Sequence, residues 1–252
     1  MHIQANDVRK TYGSFELSIP DLQIESGTAL GLVGNNGAGK TTFLRLVLDL
    51  IEADAGQIQL DGANVADSTE WKESTGSYLG ESFLIDFLTP DEFWAFVGEV
   101  YGLDEDEIAE RLDAYQTFFT DEPIGETSKY IRDLSQGNQN KVGLIGALMV
   151  EPSLLLLDEP FASLDPRSQI QLKQRLQQMR EEEDVTMLIS SHDLGHVTDV
   201  CDRIAVIEGG QVVRDVETTD ETLSDLETYF AEEIRPMEAE GAGENAKEEA
   251  QA

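Results

Sequence analysis

Apolar and polar positions alternate at the start of the chain. Ile3 and Val8, then Phe15, Leu17 and Ile19, stand between polar neighbours. That period predicts two short strands around the turn Thr11-Tyr12-Gly13-Ser14. The pattern then tightens. Thr28-Ala29-Leu30-Gly31-Leu32-Val33 predicts a buried strand, and the apolar run from Phe43 to Leu48 a buried helix. Ala55 to Gly62 and Thr75 to Leu79 predict two more strands, the second ending at Gly80-Glu81. Helix follows. Thr89-Pro90-Asp91-Glu92 sets a capping Thr, a first-position Pro and a Glu three residues after the cap. Phe93, Trp94, Phe96, Val97, Val100 and Tyr101 then recur at helical spacing until Gly102, as a subdomain core would. A second helix is expected from Asp104, with Ile108, Leu112, Tyr115 and Phe119 on one face. The run Phe83, Leu84, Phe87, Leu88 either joins that core or lines a groove for a partner helix.

Further along, Val142 to Met149 predicts a buried helix that ends at Glu151-Pro152. Leu154 to Leu157, four leucines without alternation, suggest a strand covered on both faces, closing on Asp158-Glu159-Pro160. Arg167 to Arg180 reads as an amphipathic helix carrying Ile170, Leu172, Leu176 and Met179. Val185 to His192 is again a buried strand, with His192 at its carboxyl end. A hairpin is expected around Glu208-Gly209-Gly210 and a short helix from Leu223 to Phe230. Strands alternating with helices predict an α/β fold with a mostly parallel sheet, preceded by antiparallel strands and interrupted by a helical insert. The domain is expected over 1–235 with the insert at about 82–150, followed by an acidic disordered tail over 236–252 that lacks any apolar period.

Ligands of such sheets bind at the carboxyl ends of the strands. Three polar groups fall there. Gly34-Asn35-Asn36-Gly37-Ala38-Gly39-Lys40-Thr41-Thr42 fits the phosphate-binding pattern G-x-x-x-x-G-K-[ST] between a strand and a helix. Glycines let successive N–H groups point at a phosphate chain, and the helix aims its positive end at the same anion. Lys40 is expected to reach the β- and γ-phosphates of ATP, and the Thr41 hydroxyl to ligate Mg²⁺. Asp158, closing an apolar strand, is the natural Mg²⁺ carboxylate; Glu159 can orient the water that attacks the γ-phosphate. His192 is either a satisfied core histidine or a γ-phosphate contact, and the catalytic edge favours the second. Tyr12 either stacks on the adenine or covers the sheet edge. His2 and His196 receive no role.

On these residues the chain resembles the nucleotide-binding subunit of an ATP-binding-cassette (ABC) transporter, a P-loop NTPase with a RecA-like core, over residues 1 to 233. Leu134-Ser135-Gln136-Gly137-Asn138 stands where the family has LSGGQ, with Gln136 and Asn138 departing from it. Phe161 to Asp165 resembles the D-loop, His192 the switch histidine, and Glu81 occupies the Q-loop position, where it keeps an oxygen for Mg²⁺ but loses an amide donor. The resemblance implies a head-to-tail dimer around ATP, in which Ser135 and Gly137 of one copy meet the γ-phosphate on the other copy's loop. It also implies a separate integral membrane permease that this subunit drives from the cytoplasmic face. The insert and Glu81 look most like export-type members. The competing reading is a soluble single-cassette ABC ATPase in an assembly role.

Composition sharpens this in two places. The single cysteine, Cys201, excludes an internal disulfide and a thiolate zinc cluster, which suits a reducing cytoplasm. No apolar run reaches the length of a membrane span and the N-terminus lacks a signal-peptide pattern, so work at a membrane needs another chain. The charge is the anomaly: 51 acidic residues against 17 basic give −34. Residues 236–252 carry five Glu and one Lys, so −30 remains on the rest. Such a surface opposes nucleic-acid binding and repels itself until salt shortens the screening length to ~3 Å near 1 M. A salt-accumulating cytoplasm is the expected setting. We expect the melting temperature to rise steadily from dilute buffer to molar KCl; a flat series would remove the halophilic reading.

Overall fold

The computed structural model describes residues 1–118 and 128–231. The opening alternation does form two strands, β1 (Ile3–Tyr12) and β2 (Phe15–Ile24), each ten residues long rather than short. They pair antiparallel, with Tyr12 opposite Phe15 across the turn. β3 (Ala29–Val33) runs into the glycine-rich loop and α1 (Lys40–Val47). After it come β4 (Ala55–Leu60), β5 (Ala63–Asn64) and β6 (Thr75–Tyr78). The insert carries α2 (Pro90–Val100) and α3 (Glu105–Asp113), and α4 (Gln136–Leu148) leads back to the sheet. Then follow β7 (Leu154–Asp158), α5 (Pro166–Glu182), β8 (Thr186–Ser191), α6 (Leu194–Val200), β9 (Arg203–Glu208) and β10 (Gln211–Glu217). A last helix spans 222–231.

The ten strands among the described residues belong to one sheet in the order β5-β4-β1-β2-β10-β9-β3-β8-β7-β6. The five from β9 to β6 are parallel; the other half is antiparallel apart from a single parallel pairing of β10 with β2. The parallel core and the antiparallel N-terminal strands are both as expected, and the β9–β10 hairpin joins them into one mixed sheet.

The unalternated leucines are explained by the layers. Leu154 and Leu156 pack with α1 and the N-terminal strands, while Leu155 and Leu157 pack with α4, α5 and α6 on the opposite face. Successive side chains of a strand point to opposite faces, so a strand buried on both needs apolar residues throughout. Each fully buried Leu contributes about 1.5–3 kcal/mol.

The insert's first helix begins as the sequence requires. Thr89 and Glu92 exchange bonds in a capping box. Trp94 is fully buried and donates its indole N–H to Val142 O at 3.0 Å, tying α2 to α4. Phe96 and Val100 are exposed, against the expected subdomain core. They lie on the solvent side of α2, so helical spacing identified the helix but overstated its apolar face. Tyr115 was expected on the second helix, but α3 ends at Asp113 and Tyr115 is buried in the turn beyond it. Phe119 and the whole 236–252 segment lie outside the described residues. The helix expected from Val142 reaches back to Gln136, and α6 was not anticipated at all. Ile170 on α5 is exposed, unlike Leu172, Leu176 and Met179.

Cys201 is buried, and burial raises its thiol far above the ordinary range, so it stays protonated and unreactive in the fold.

Candidate functional site

The glycine-rich loop is held from two sides. Gly34 lies so close to β9 that a Cβ there would stand 2.2 Å from Ile207 O. The turn after β9 braces the loop's far side, with Gly210 N–H donating to Ala38 O at 3.1 Å. Gly39 caps α1 with φ +114, a conformation that side chains resist, and offers no side chain to the helix. The contrast with the other helices is informative. Thr89, Asp104, Ser135, Asp165 and Asp193 each turn a side chain onto the first N–H groups of α2 to α6. At α1 those donors are left for an anion. The cleft in front of them holds about 250 Å³ and is lined by Phe15, Asn35 through Thr42, and Glu159.

Within this cleft the Lys40 ammonium is buried between Gly34 O at 2.6 Å and Glu159 Oε1 at 3.2 Å. A polyphosphate seated on the loop would compete for the same ammonium. Thr41 Oγ1 meets Asp158 Oδ2 at 2.6 Å, which brings two hard oxygen ligands together beside the phosphate cradle. That pair fits a Mg²⁺ ion, which takes one or two protein oxygens and completes its shell with phosphate and water. Asp158 is itself fixed by the Ser190 hydroxyl, which donates to Oδ1 and accepts the Glu159 N–H at 3.0 Å.

Glu159 stands at φ 49, a left-handed conformation that costs energy outside glycine. The turn aims its carboxylate back across the strand ends. Its Oε2 faces His192 Nδ1 at 2.8 Å and accepts the His192 backbone N–H at 3.2 Å. An ionised carboxylate can only accept, so the imidazole places a proton on Nδ1. Lys40, Thr41, Asp158, Glu159 and His192 thus converge, as their positions at strand ends implied.

Other candidates lie elsewhere. Tyr12 is exposed on the hairpin, with the Lys10 ammonium 5.7 Å from its ring centre; its cross-strand neighbour Phe15 is the aromatic that lines the cleft. Glu81 sits in a 3-10 turn (Glu81–Phe83) and accepts from Gln136 Nε2 at 3.2 Å, so here it faces the start of α4 rather than the loop. Ser135 caps α4 by accepting the Asn138 N–H at 3.3 Å. Gly137 packs under the turn after Glu159, where a Cβ would stand 2.6 Å from Ser163 O. Neither Ser135 nor Gly137 lines the phosphate cleft. His196, given no role, stacks on Phe161 with centroids 4.5 Å apart. Phe15 and Ser190 escaped the sequence reading. A serine inside the apolar run of β8 was the available signal for the second.

Comparison with known proteins gives a consistent result. The family model described as ABC transporter matches residues 17–162. A probable sulfate/thiosulfate import ATP-binding protein of Chlorella vulgaris is 31% identical over 85% of this chain and 90% of its own length. The ABC transporter ATP-binding protein NatA of Bacillus subtilis is 34% identical over 76% of this chain and 78% of its own. A solved ATP binding subunit of an ABC transporter superposes with a TM-score of 0.77 at 26% identity, covering 92% of this chain and 94% of that one.

The close approach at Gly137 generates a test of its own. Gly137→Ala should destabilise the protein by about 1–3 kcal/mol through overpacking against the Ser163 carbonyl, read as a lowered melting temperature. Unchanged melting would mean that the turn yields freely.

Proposed function

The chain belongs to the ABC transporter family as an ATP-binding ATPase subunit, and from that premise we propose that it works as a head-to-tail dimer driving a separate membrane permease. One observation carries the dimer: the phosphate cleft is lined by the loop, Phe15 and Glu159, while Ser135 and Gly137 at the start of α4 stand away from it within one chain. A second copy, turned to place its Ser135 and Gly137 over the first copy's loop, would complete the site. In this reading the loop N–H groups and Lys40 hold the β- and γ-phosphates of ATP. Thr41 and Asp158 hold Mg²⁺, which supplies charge neutralisation on the phosphates when bound. Glu159 orients the attacking water and accepts its proton; His192, bonded to Glu159, senses whether the γ-phosphate is present. Tyr12, with Phe15 behind it, offers the adenine an aromatic face. Glu81 would have to leave Gln136 to reach the metal.

The permease has a place to dock. A second cleft of about 270 Å³ lies between β6 and α2, lined by Leu50, Tyr78, Phe83, Leu84 and Val97 among others. Leu50 and Phe83 are exposed apolar residues of its lining, and Phe87, four residues on from Phe83, is exposed as well, which suits an apolar helix from the membrane subunit. Among the described residues no helix is long and apolar enough to cross a membrane. We place the subunit on the cytoplasmic face through that contact, with its acidic surface adapted to high salt. The exposed apolar cleft favours this over a solitary assembly ATPase. Glu81 and the insert resemble export-type members and support export as the direction, whereas the Chlorella relative is named for import.

Two outcomes test this. Glu159→Gln should keep ATP binding, lose phosphate release by about 10²–10⁴-fold and accumulate as an ATP-bound dimer in size-exclusion chromatography. Undiminished turnover would remove Glu159 from its role. Separately, wild type should co-purify with detergent-solubilised membranes of its own cells, and the double change Phe83→Glu, Phe87→Glu should release it. A wild type that stays solitary would favour the assembly role.

A further inference from the structure

Asn140 is buried on the first turns of α4, and both ends of its side-chain amide are used. Its Nδ2 donates to Ala162 O at 2.7 Å; its Oδ1 accepts from the Tyr78 hydroxyl at 2.5 Å. The orientation has no alternative: a backbone carbonyl can only accept, so the NH₂ must face Ala162 and the oxygen must face Tyr78. Burial, reinforced by the Glu81 and Asp158 carboxylates, pushes the Tyr78 hydroxyl well above its ordinary range, so it remains a donor.

The peptide that Asn140 holds is critical to its surroundings. Ala162 N–H donates back to Glu159 O at 3.1 Å, closing the turn. On either side of Ala162 stand two non-glycine residues in the left-handed region, Glu159 at φ 49 and Ser163 at φ 59. Such backbone persists only where neighbours over-determine it. α4 supplies those neighbours from one face: Gly137 under Ser163, Asn140 on Ala162, and Lys141 Nζ on Asp165 at 3.0 Å. Gly143, one turn on, leaves the Tyr78 ring its room, since a Cβ there would stand 2.4 Å from Tyr78 Cε2.

We infer that Asn140 is a positioning residue for ATP hydrolysis, holding the Glu159 turn in its productive shape, with Tyr78 setting the direction of its amide. This rests on Glu159 being the water-orienting carboxylate. It goes further by assigning the accuracy of that carboxylate to a residue that never touches nucleotide. Misplacement of a reacting group by an ångström costs up to about a hundredfold in rate while leaving binding alone.

The experiment measures steady-state ATP hydrolysis and ATP binding on the full chain for four variants. Asn140→Ala and Asn140→Asp should each lower kcat about tenfold or more, with KM for ATP and nucleotide affinity within about twofold of wild type. The aspartate keeps an acceptor for Tyr78 but, ionised, cannot donate to Ala162, so a low kcat there isolates the second bond. Tyr78→Phe keeps the ring and frees the amide to turn, so its kcat should fall between wild type and Asn140→Ala. Asn140→Ala with wild-type kcat, or kcat and KM moving together with a fall in melting temperature, would overturn the assignment and leave a structural role. Failure of the underlying reading is distinct: Glu159→Gln, the fourth variant, would then hydrolyse normally.

Discussion

Asp158 cannot move without unpacking the four leucines behind it. Leu154 to Leu157 are fully buried, alternately to the two faces of the sheet, and β7 is paired on both edges. Each leucine lost to alanine in such a setting costs about 2–5 kcal/mol. That commitment makes Asp158 a fixed point from which other groups take their positions. Thr41 is drawn to it from α1, Ser190 from β8, and through Ser190 the backbone of Glu159. An apolar core deep enough to hold a carboxylate steady is what lets a loop of small residues become a site with defined chemistry.

Around that point the charges are arranged unevenly. The protein carries few basic residues, and those described are mostly engaged: Lys10 with Asp54, Lys141 with Asp165, Lys173 with Asp199, Arg203 with Asp215. The Asp165 carboxyl is held well below the usual range, first by the Ser168 hydroxyl and then by Lys141. Lys40 differs, because its partners are a carbonyl and a catalytic-edge carboxylate that a phosphate can displace. Paired cations leave the outer acidic groups with little internal relief.

Much of this was legible in the sequence because it depends on local chemistry. The glycine-rich loop announces itself by spacing, the capping box at Thr89 by residue type, and β7 by its unbroken leucines. The strand-end placement of Asp158, Glu159 and His192 followed from alternation of strands and helices. What the sequence hid depends on long-range register. Phe15 reaches the phosphate cleft only because a two-residue turn sets it opposite Tyr12. Ser190 matters because β8 lies beside β7 with Asp158 as its partner. Tyr78 and Asn140, 62 positions apart, give no sign of meeting until β6 is laid against α4. That the antiparallel strands and the parallel core share one sheet stayed hidden, because nothing local says that the β9–β10 hairpin will bridge to β2.

The contact between Gly137 and the Ser163 carbonyl leaves no clearance for even one methyl group. Parts that fit this closely have no slack, and the head of α4 and the turn after Glu159 must therefore travel as one bracket. In a paired assembly each bracket would present Ser135 to the opposite nucleotide and Glu159 to its own. Displacing it toward one would retune the other in the same stroke. Two chemically separate events would then share a single mechanical part, and neither copy could fire or reset unnoticed by its twin.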